Sequence, residues 1–113
     1  MSDCLFCRIA AKQIPAKLVY EDDATVAFHD LSPQAPVHVL VIPKAHHADV
    51  SACTADDPTL AAQVLAAAVQ VAQQLGVGDG FRLVTNNGAA AGQSVFHWHV
   101  HVLGGRAMNW PPG

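Results

Sequence analysis

Basic residues are scarce: six Lys and Arg stand against nine Asp and Glu in 113 residues, a formal charge of −3. Those six are scattered, so the chain lacks the clustered positive footprint of a nucleic-acid-binding surface, and no nucleic-acid partner is expected. Long apolar runs are also missing. Gln63, Gln70 and Gln73 break the longest candidate, well short of the roughly 18 residues that span a bilayer. Met1-Ser2-Asp3-Cys4 does not open a basic and then apolar secretory leader. No membrane association and a cytoplasmic location are therefore expected. Charged residues make up 13% of the chain and hydrophobic ones 51%, the opposite of a disordered composition. A chain of this length buries a core that needs no disulfide staple, which predicts a single domain over 1–113. One residue type is over-supplied: seven histidines outnumber Lys and Arg together.

Residues 4–11 read as a short helix, with Leu5 and Ile9 four apart and an end near Ile14-Pro15. Residues 18–21 and 25–29 are short β-branched or aromatic runs on either side of Asp22-Asp23, the pattern of a hairpin. A loop with two prolines leads to 37–42, too continuously apolar for an exposed strand and closed by Pro43; this predicts a central strand. Over 58–75, Leu60, Val64, Ala68, Val71 and Leu75 recur at helical spacing, with Gln63, Gln70 and Gln74 off that stripe. Asp56-Asp57 suit the start of this helix and Gly76 its end. Residues 81–85 read as a strand, 87–92 as a flexible loop and 96–103 as the last strand. Five strands in mostly hairpin-like succession, with two main helices, predict an α+β domain on one antiparallel sheet.

The last strand carries His97-Trp98-His99-Val100-His101-Val102-Leu103. The two-residue period sets the three histidines on one face and Trp98, Val100 and Val102 on the other. At about 3.3 Å per residue the outer two start roughly 13 Å apart, so at most two neighbours share an ion. A lone strand histidine is usually a polar residue on a solvated face. Three in alternation, behind Gly92-Gln93-Ser94-Val95, mark a chemical face, because desolvating three titratable rings side by side is a cost an ordinary core would not carry.

This run matches the His-φ-His-φ-His-φ-φ signature of the histidine triad (HIT) nucleotide hydrolases and transferases. The likeness extends to Phe28-His29-Asp30-Leu31-Ser32-Pro33-Gln34-Ala35-Pro36-Val37-His38, Val41-Ile42-Pro43-Lys44, Gly92-Gln93-Ser94-Val95, Leu103-Gly104-Gly105 and Trp110-Pro111-Pro112-Gly113. Over nearly the whole chain the sequence resembles the Hint branch of that family. The resemblance implies a HIT-like fold whose sheet continues across a homodimer. It also implies a purine nucleoside phosphoramidase, acting on substrates with an AMP or GMP moiety through a covalent nucleotidyl-histidine.

A histidine that attacks phosphorus must be neutral, with one nitrogen free and the other fixed by an acceptor. The resemblance gives that role to His99. It places His101 and Ser94 at the phosphate, with backbone donors from Gly92, Gln93 and Val95, and it sets Asn86 and His38 in the lining of the same site, His38 as part of a histidine network. Asp30, otherwise a simple Asx-turn residue, becomes the acceptor for both ribose hydroxyls; a carboxylate can take two hydrogen bonds at once. Leu5, Phe6, Ile9, Phe28, Leu31 and Leu40, which composition alone would call core, match the family's base pocket. Trp110 matches a residue that reaches the partner subunit's site. Trp98, Asn87, Ala89-Ala90-Ala91 and Asn109 depart from the usual pattern without touching the implied nucleophile.

Cys4 and Cys7 form a C-x-x-C pair: half a metal site, half a redox couple, or two small buried residues. The resemblance to bacterial relatives implies a structural zinc completed by His46 and His97, with no catalytic metal. Cys53 has no visible partner in the sequence. Three rival readings stand beside the phosphoramidase: a dinucleoside polyphosphate hydrolase, a nucleotide-binding partner protein with incidental activity, and a metal-dependent hydrolase. Polyphosphate handling favours extra basic side chains or Mg²⁺-binding carboxylates, and only Arg106 lies beside the triad.

Overall fold

The computed structural model describes residues 3–113; Met1 and Ser2, part of the segment read for a leader, lie outside the described residues. The elements run α1 (Leu5–Ala10), β1 (Leu18–Glu21), β2 (Thr25–His29), β3 (Val37–Pro43), α2 (Val50–Asp56), α3 (Pro58–Gln74), β4 (Phe81–Val84), a 3₁₀ turn (Ala89–Ala91) and β5 (Val100–Gly104). The five strands form one sheet in the order β1-β2-β3-β5-β4, every pair antiparallel. This is the expected α+β architecture on one antiparallel sheet.

Both faces of the sheet are covered, and the alternation along β3 shows how. Val39 and Val41 face α3, where Ala27, Val64, Ala68, Val71, Trp98, Val100 and Val102 complete the main core. Leu40 and Ile42 point the other way, into a smaller cluster with Val26, Phe28 and the α1 residues Phe6 and Ile9. A strand buried on both faces reads as a continuous apolar run, which is why 37–42 lacks alternation. Buried alanines at 61, 67, 68 and 72 leave no side-chain bulk to hold α3 away from the sheet.

Local chemistry sets the ends of the elements. The Asp57 carboxylate accepts the Leu60 N–H at 3.1 Å and Pro58 opens α3, a helix start in which proline loses no bond. Gly76 follows α3 with φ +79°, the left-handed position that glycine adopts without strain. On α1 the buried pair is Phe6 and Ile9, three apart, and Leu5 stands exposed. Helix α2 was invisible to apolar periodicity: it buries only Cys53, and its start depends on Asp49 accepting the Ala52 N–H at 2.8 Å. The loop read as flexible contains the Ala89–Ala91 turn.

The last strand begins later than expected, at Val100 instead of residue 96. Pro43 ends β3 without an N–H to offer, so the ladder opposite stops at the Val41–Val100 pair. Residues 97–99 bond elsewhere: the Trp98 N–H to the His47 carbonyl (2.7 Å) and the His99 carbonyl to the Thr85 hydroxyl (2.8 Å). Trp98, Val100 and Val102 nonetheless share the α3 face, as the two-residue period predicts.

Removal of one cap gives a test of this account. Asp57→Ala should lower stability by about 1 kcal/mol, seen as a drop in urea midpoint at unchanged m-value, because the backbone of α3 stays intact. An unchanged midpoint would show that the carboxylate does not cap the helix.

Candidate active site

The site is built on the α1 side of the sheet where β3 and β5 run side by side. His38 projects from β3 and His101 from β5; His99 lies just ahead of β5 and Phe6 closes over it from α1. The rings make a chain: His38 to His101 centroids lie 5.2 Å apart, His101 to His99 5.1 Å, and the Phe6 edge meets His99 at 5.2 Å. His38 and His99 are buried.

Hydrogen bonds assign the proton positions. The Gln34 backbone N–H donates to His38 Nδ1 at 3.0 Å, so the neutral His38 ring carries its proton on Nε2. That Nε2–H lies 2.9 Å from His101 Nδ1 and 3.5 Å from Asp30 Oδ2, so His101 is the nearer acceptor. His101 Nδ1 is thus an acceptor, and its proton sits on Nε2. His99 is fixed differently: its Nδ1–H donates to the main-chain carbonyl of His97 at 2.8 Å, leaving Nε2 with a free lone pair. Two adjacent rings therefore present one unprotonated nitrogen and one N–H donor. Burial, reinforced by the neighbouring His99 and His38, holds the His101 pKa down to about 4, so the ring is neutral near pH 7.

A cavity of about 200 Å³ opens beside these rings, lined by Leu5, Phe6, Ile9, Phe28, Leu31 and Leu40, with Lys17, His29 and Asp30 at its polar side. A second concavity shares Lys17, His29, Asp30 and Leu31 with the first and reaches His38. The two concavities thus meet at the Asp30 carboxylate, and of the ring chain Phe6 lines the first and His38 the second. Asp30 forms the Asx turn considered for it, its Oδ1 accepting the Ser32 N–H at 2.7 Å, and its Oδ2 lies 3.5 Å from His38 Nε2.

The 88–95 loop is organised by Gln93, which is buried. Its Oε1 accepts the Gly88 N–H (2.8 Å), and its Nε2 donates to the Ala48 (2.6 Å) and Val95 (3.0 Å) carbonyls. The Gly92 and Gln93 N–H groups are committed to the turn, bonding the Ala89 and Gly88 carbonyls. Ser94 is exposed, Val95 packs on the α1 cluster, and the Asn86 amide lies beside Gly92. Gly92 sits at φ +96°, where a side chain would be strained. Trp110 is 82% exposed, in a tail whose Asn109 carbonyl accepts from the Arg82 guanidinium of β4.

Cys4, Cys7, His46 and His97 come together at the far side of α1, with their ligand atoms all within 4.8 Å of one another, and can hold a metal ion. The Cys4 Sγ–His97 Nδ1, Cys7 Sγ–His46 Nδ1 and His46 Nδ1–His97 Nδ1 separations are 3.3, 3.3 and 3.2 Å. A tetrahedral zinc with Zn–S and Zn–N bonds of about 2.3 and 2.0 Å requires N–N and S–N edges of roughly 3.3 and 3.5 Å, which these separations fit. His97 Nε2–H donates to the Pro43 carbonyl at 2.8 Å, which turns Nδ1 toward the thiols and supplies the outer-shell bond that metal-binding histidines use. Desolvation holds the His97 pKa down to about 4, in its neutral form at pH 7.

Sequence reasoning missed three supporting residues: Gln34, whose N–H sets the His38 tautomer, Pro43, whose carbonyl holds His97, and Thr85. The Thr85 hydroxyl accepts from the Trp98 indole (2.9 Å) and donates to the His99 carbonyl. The first two act through the main chain, which side-chain identity cannot signal. Lys17 and His29, also unanticipated, line the groove.

Comparison with known proteins supplies the class. A family model for the HIT domain matches residues 11–108. An uncharacterized HIT-like protein of Synechocystis sp. is 55% identical over 111 residues, covering 98% of this chain and 97% of the relative. Among solved structures, a HIT family hydrolase of Legionella pneumophila Philadelphia 1 superposes with a TM-score of 0.94 at 49% identity, over 98% of this chain and 100% of that one. A HIT family hydrolase of Clostridium thermocellum gives 0.91 at 44% identity, over 96% of each chain. The chain belongs to the HIT domain family.

The depressed His101 pKa carries a pH prediction. Above about 6.5 the ring is neutral in folded and unfolded chains alike; between about 6.5 and 4 the unfolded chain takes up a proton that the folded protein refuses. Stability should therefore fall as the pH drops through that window and level off below it. Urea midpoints at about pH 7.5, 5.5 and 4 should show the decline, and His101→Gln should shrink it. An undiminished slope in the variant would place the titrating group elsewhere.

Proposed function

We propose that the protein is a phosphoramidase of the Hint branch, cleaving the P–N bond of purine nucleoside 5′-phosphoramidates through His99. The observation that carries this reading is the His99 ring, oriented by its Nδ1–H bond to the His97 carbonyl and joined through His101 to His38, which lines the concavity adjoining the apolar cavity.

In this reading the purine enters among Leu5, Phe6, Ile9, Phe28, Leu31 and Leu40, and the ribose hydroxyls donate to Asp30, whose carboxylate keeps acceptor capacity beyond its Asx turn. His99 Nε2 attacks phosphorus, the P–N bond breaks, and the amine departs with a proton taken from solvent, which the water of the second step returns. His101 Nε2–H, Ser94 and the Ser94 and Val95 backbone donors stabilise charge on the phosphoryl oxygens. Water then attacks the same phosphorus, the P–Nε2 bond breaks, and nucleoside monophosphate and free His99 result. The His38–His101 bond supports this by keeping the His101 proton on the nitrogen that faces substrate.

Cys4, Cys7, His46 and His97 would hold a structural zinc; with four protein donors the ion has no open position for water or substrate. A homodimer is supported by the molecule's edge. Strand β4 ends the sheet with Leu83 36% exposed, and α3 presents Leu65 and Val69, four apart, on its outer face. A partner's β4 and α3 would cover both, and Trp110 would gain a surface to pack on. The dinucleoside polyphosphate alternative is disfavoured because the Arg106 guanidinium bonds the Gln34 and Ala107 carbonyls.

The test is steady-state hydrolysis of AMP-morpholidate, an AMP-lysine analogue and diadenosine polyphosphates side by side. The phosphoramidates should turn over at least about tenfold faster in kcat/KM than the polyphosphates, a barrier difference of about 1.4 kcal/mol. His99→Ala should abolish that turnover while AMP binding persists. Faster polyphosphate cleavage would reassign the substrate, and normal turnover in His99→Ala would remove the covalent mechanism.

A further inference from the structure

We propose that metal loading at Cys4, Cys7, His46 and His97 and occupation of the apolar groove by a purine base are positively coupled through α1. The coupling rests on the nucleotide reading of the groove.

Helix α1 is a single element with two roles interleaved in its sequence. Cys4 and Cys7 meet His46 and His97, while Leu5, Phe6 and Ile9 line the cavity. A helix of six residues is far below the length that holds itself together, so its position depends on what grips it from outside. Its N-cap is the Cys4 sulfur, which accepts the Cys7 N–H at 3.4 Å; the cap atom and a donor of the metal cluster are the same atom. On the other side only Phe6 and Ile9 are buried, against Val26, Phe28, Leu40 and Ile42.

A metal ion in the cluster ties α1 at two points, to His46 in the segment after β3 and to His97 ahead of β5. That fixes the cavity wall before a base arrives, so less ordering remains for the base to supply. Phe6 connects the two regions directly, its ring 6.0 Å from His97 and 5.2 Å from His99. Leu5, 48% exposed at the cavity, gains cover only when a base enters, which draws α1 inward and holds both cysteines in place. Coupling is reciprocal by thermodynamic necessity: whatever factor metal adds to base affinity, base adds to metal affinity.

The experiment uses the full chain loaded with zinc, one equivalent by metal analysis. AMP is titrated calorimetrically onto loaded and chelator-stripped protein, and zinc affinity is measured by competition with a chromophoric chelator alone, with saturating AMP, and with saturating ribose 5-phosphate. Stripping should weaken AMP binding about tenfold, within the usual range of site-to-site coupling, and AMP should tighten zinc by the same factor. Ribose 5-phosphate, which leaves the apolar cavity empty, should not change zinc affinity. Zinc affinity indifferent to bound AMP overturns the coupling and leaves the nucleotide reading standing. Failure of AMP to bind the loaded protein removes both. If stripped protein unfolds, the two-ligand comparison decides, because equal tightening by AMP and ribose 5-phosphate reduces the effect to general stabilisation and overturns the role of α1.

Discussion

The hydrogen bond from His99 Nδ1–H to the His97 carbonyl holds the whole arrangement in register. It decides which nitrogen of His99 is free, and it works only if the His97 main chain is immobile. That immobility has several sources. The His97 ring is fully buried and donates to the Pro43 carbonyl, Trp98 anchors its N–H on His47, and the Trp98 indole and the His99 carbonyl both meet the Thr85 hydroxyl. Each bond is worth only about 1 kcal/mol net, but none can be lost without leaving a buried polar group unpaired.

The sheet divides the work between its faces. Along β5, Val100 and Val102 enter the core under α3 while His101 projects to the other side; along β3, Val39 and Val41 do the same while His38 and Leu40 face the groove. The site is therefore carried by strands whose opposite face is clamped by a 17-residue helix. The groove itself is covered by the much shorter α1. A rigid chemical face opposite a lightly held wall suits the proposed chemistry, in which phosphorus would be held closely and a purine admitted and released.

Elements governed by periodicity were legible in the sequence, because burial on one face imposes a pattern. The α3 stripe, the hairpin of β1 and β2 and the doubly buried β3 all followed. Elements governed by single polar bonds were not: α2 hangs on the Asp49 cap, and the late start of β5 follows from Pro43 ending its neighbour. The candidate site divides in the same way. Residue types mark His99, His101, Cys4 and Cys7 as chemistry, whereas the tautomers depend on the Gln34 N–H and the His97 carbonyl, main-chain groups that every residue type provides. The resemblance implied a backbone donor at Gln93, yet that N–H bonds the Gly88 carbonyl, and the Gln93 side chain is buried and spans three backbone partners.

The central claim is that His99 forms a bond to phosphorus. Rapid acid-free quench of the enzyme with an adenosine 5′-phosphoramidate, followed by peptide mass spectrometry, tests it most directly. The account predicts an acid-labile adenylate on His99, formed and consumed within one turnover. An adenylate on His97 or His101, or turnover with no covalent species at any quench time while substrate is being consumed, would contradict it.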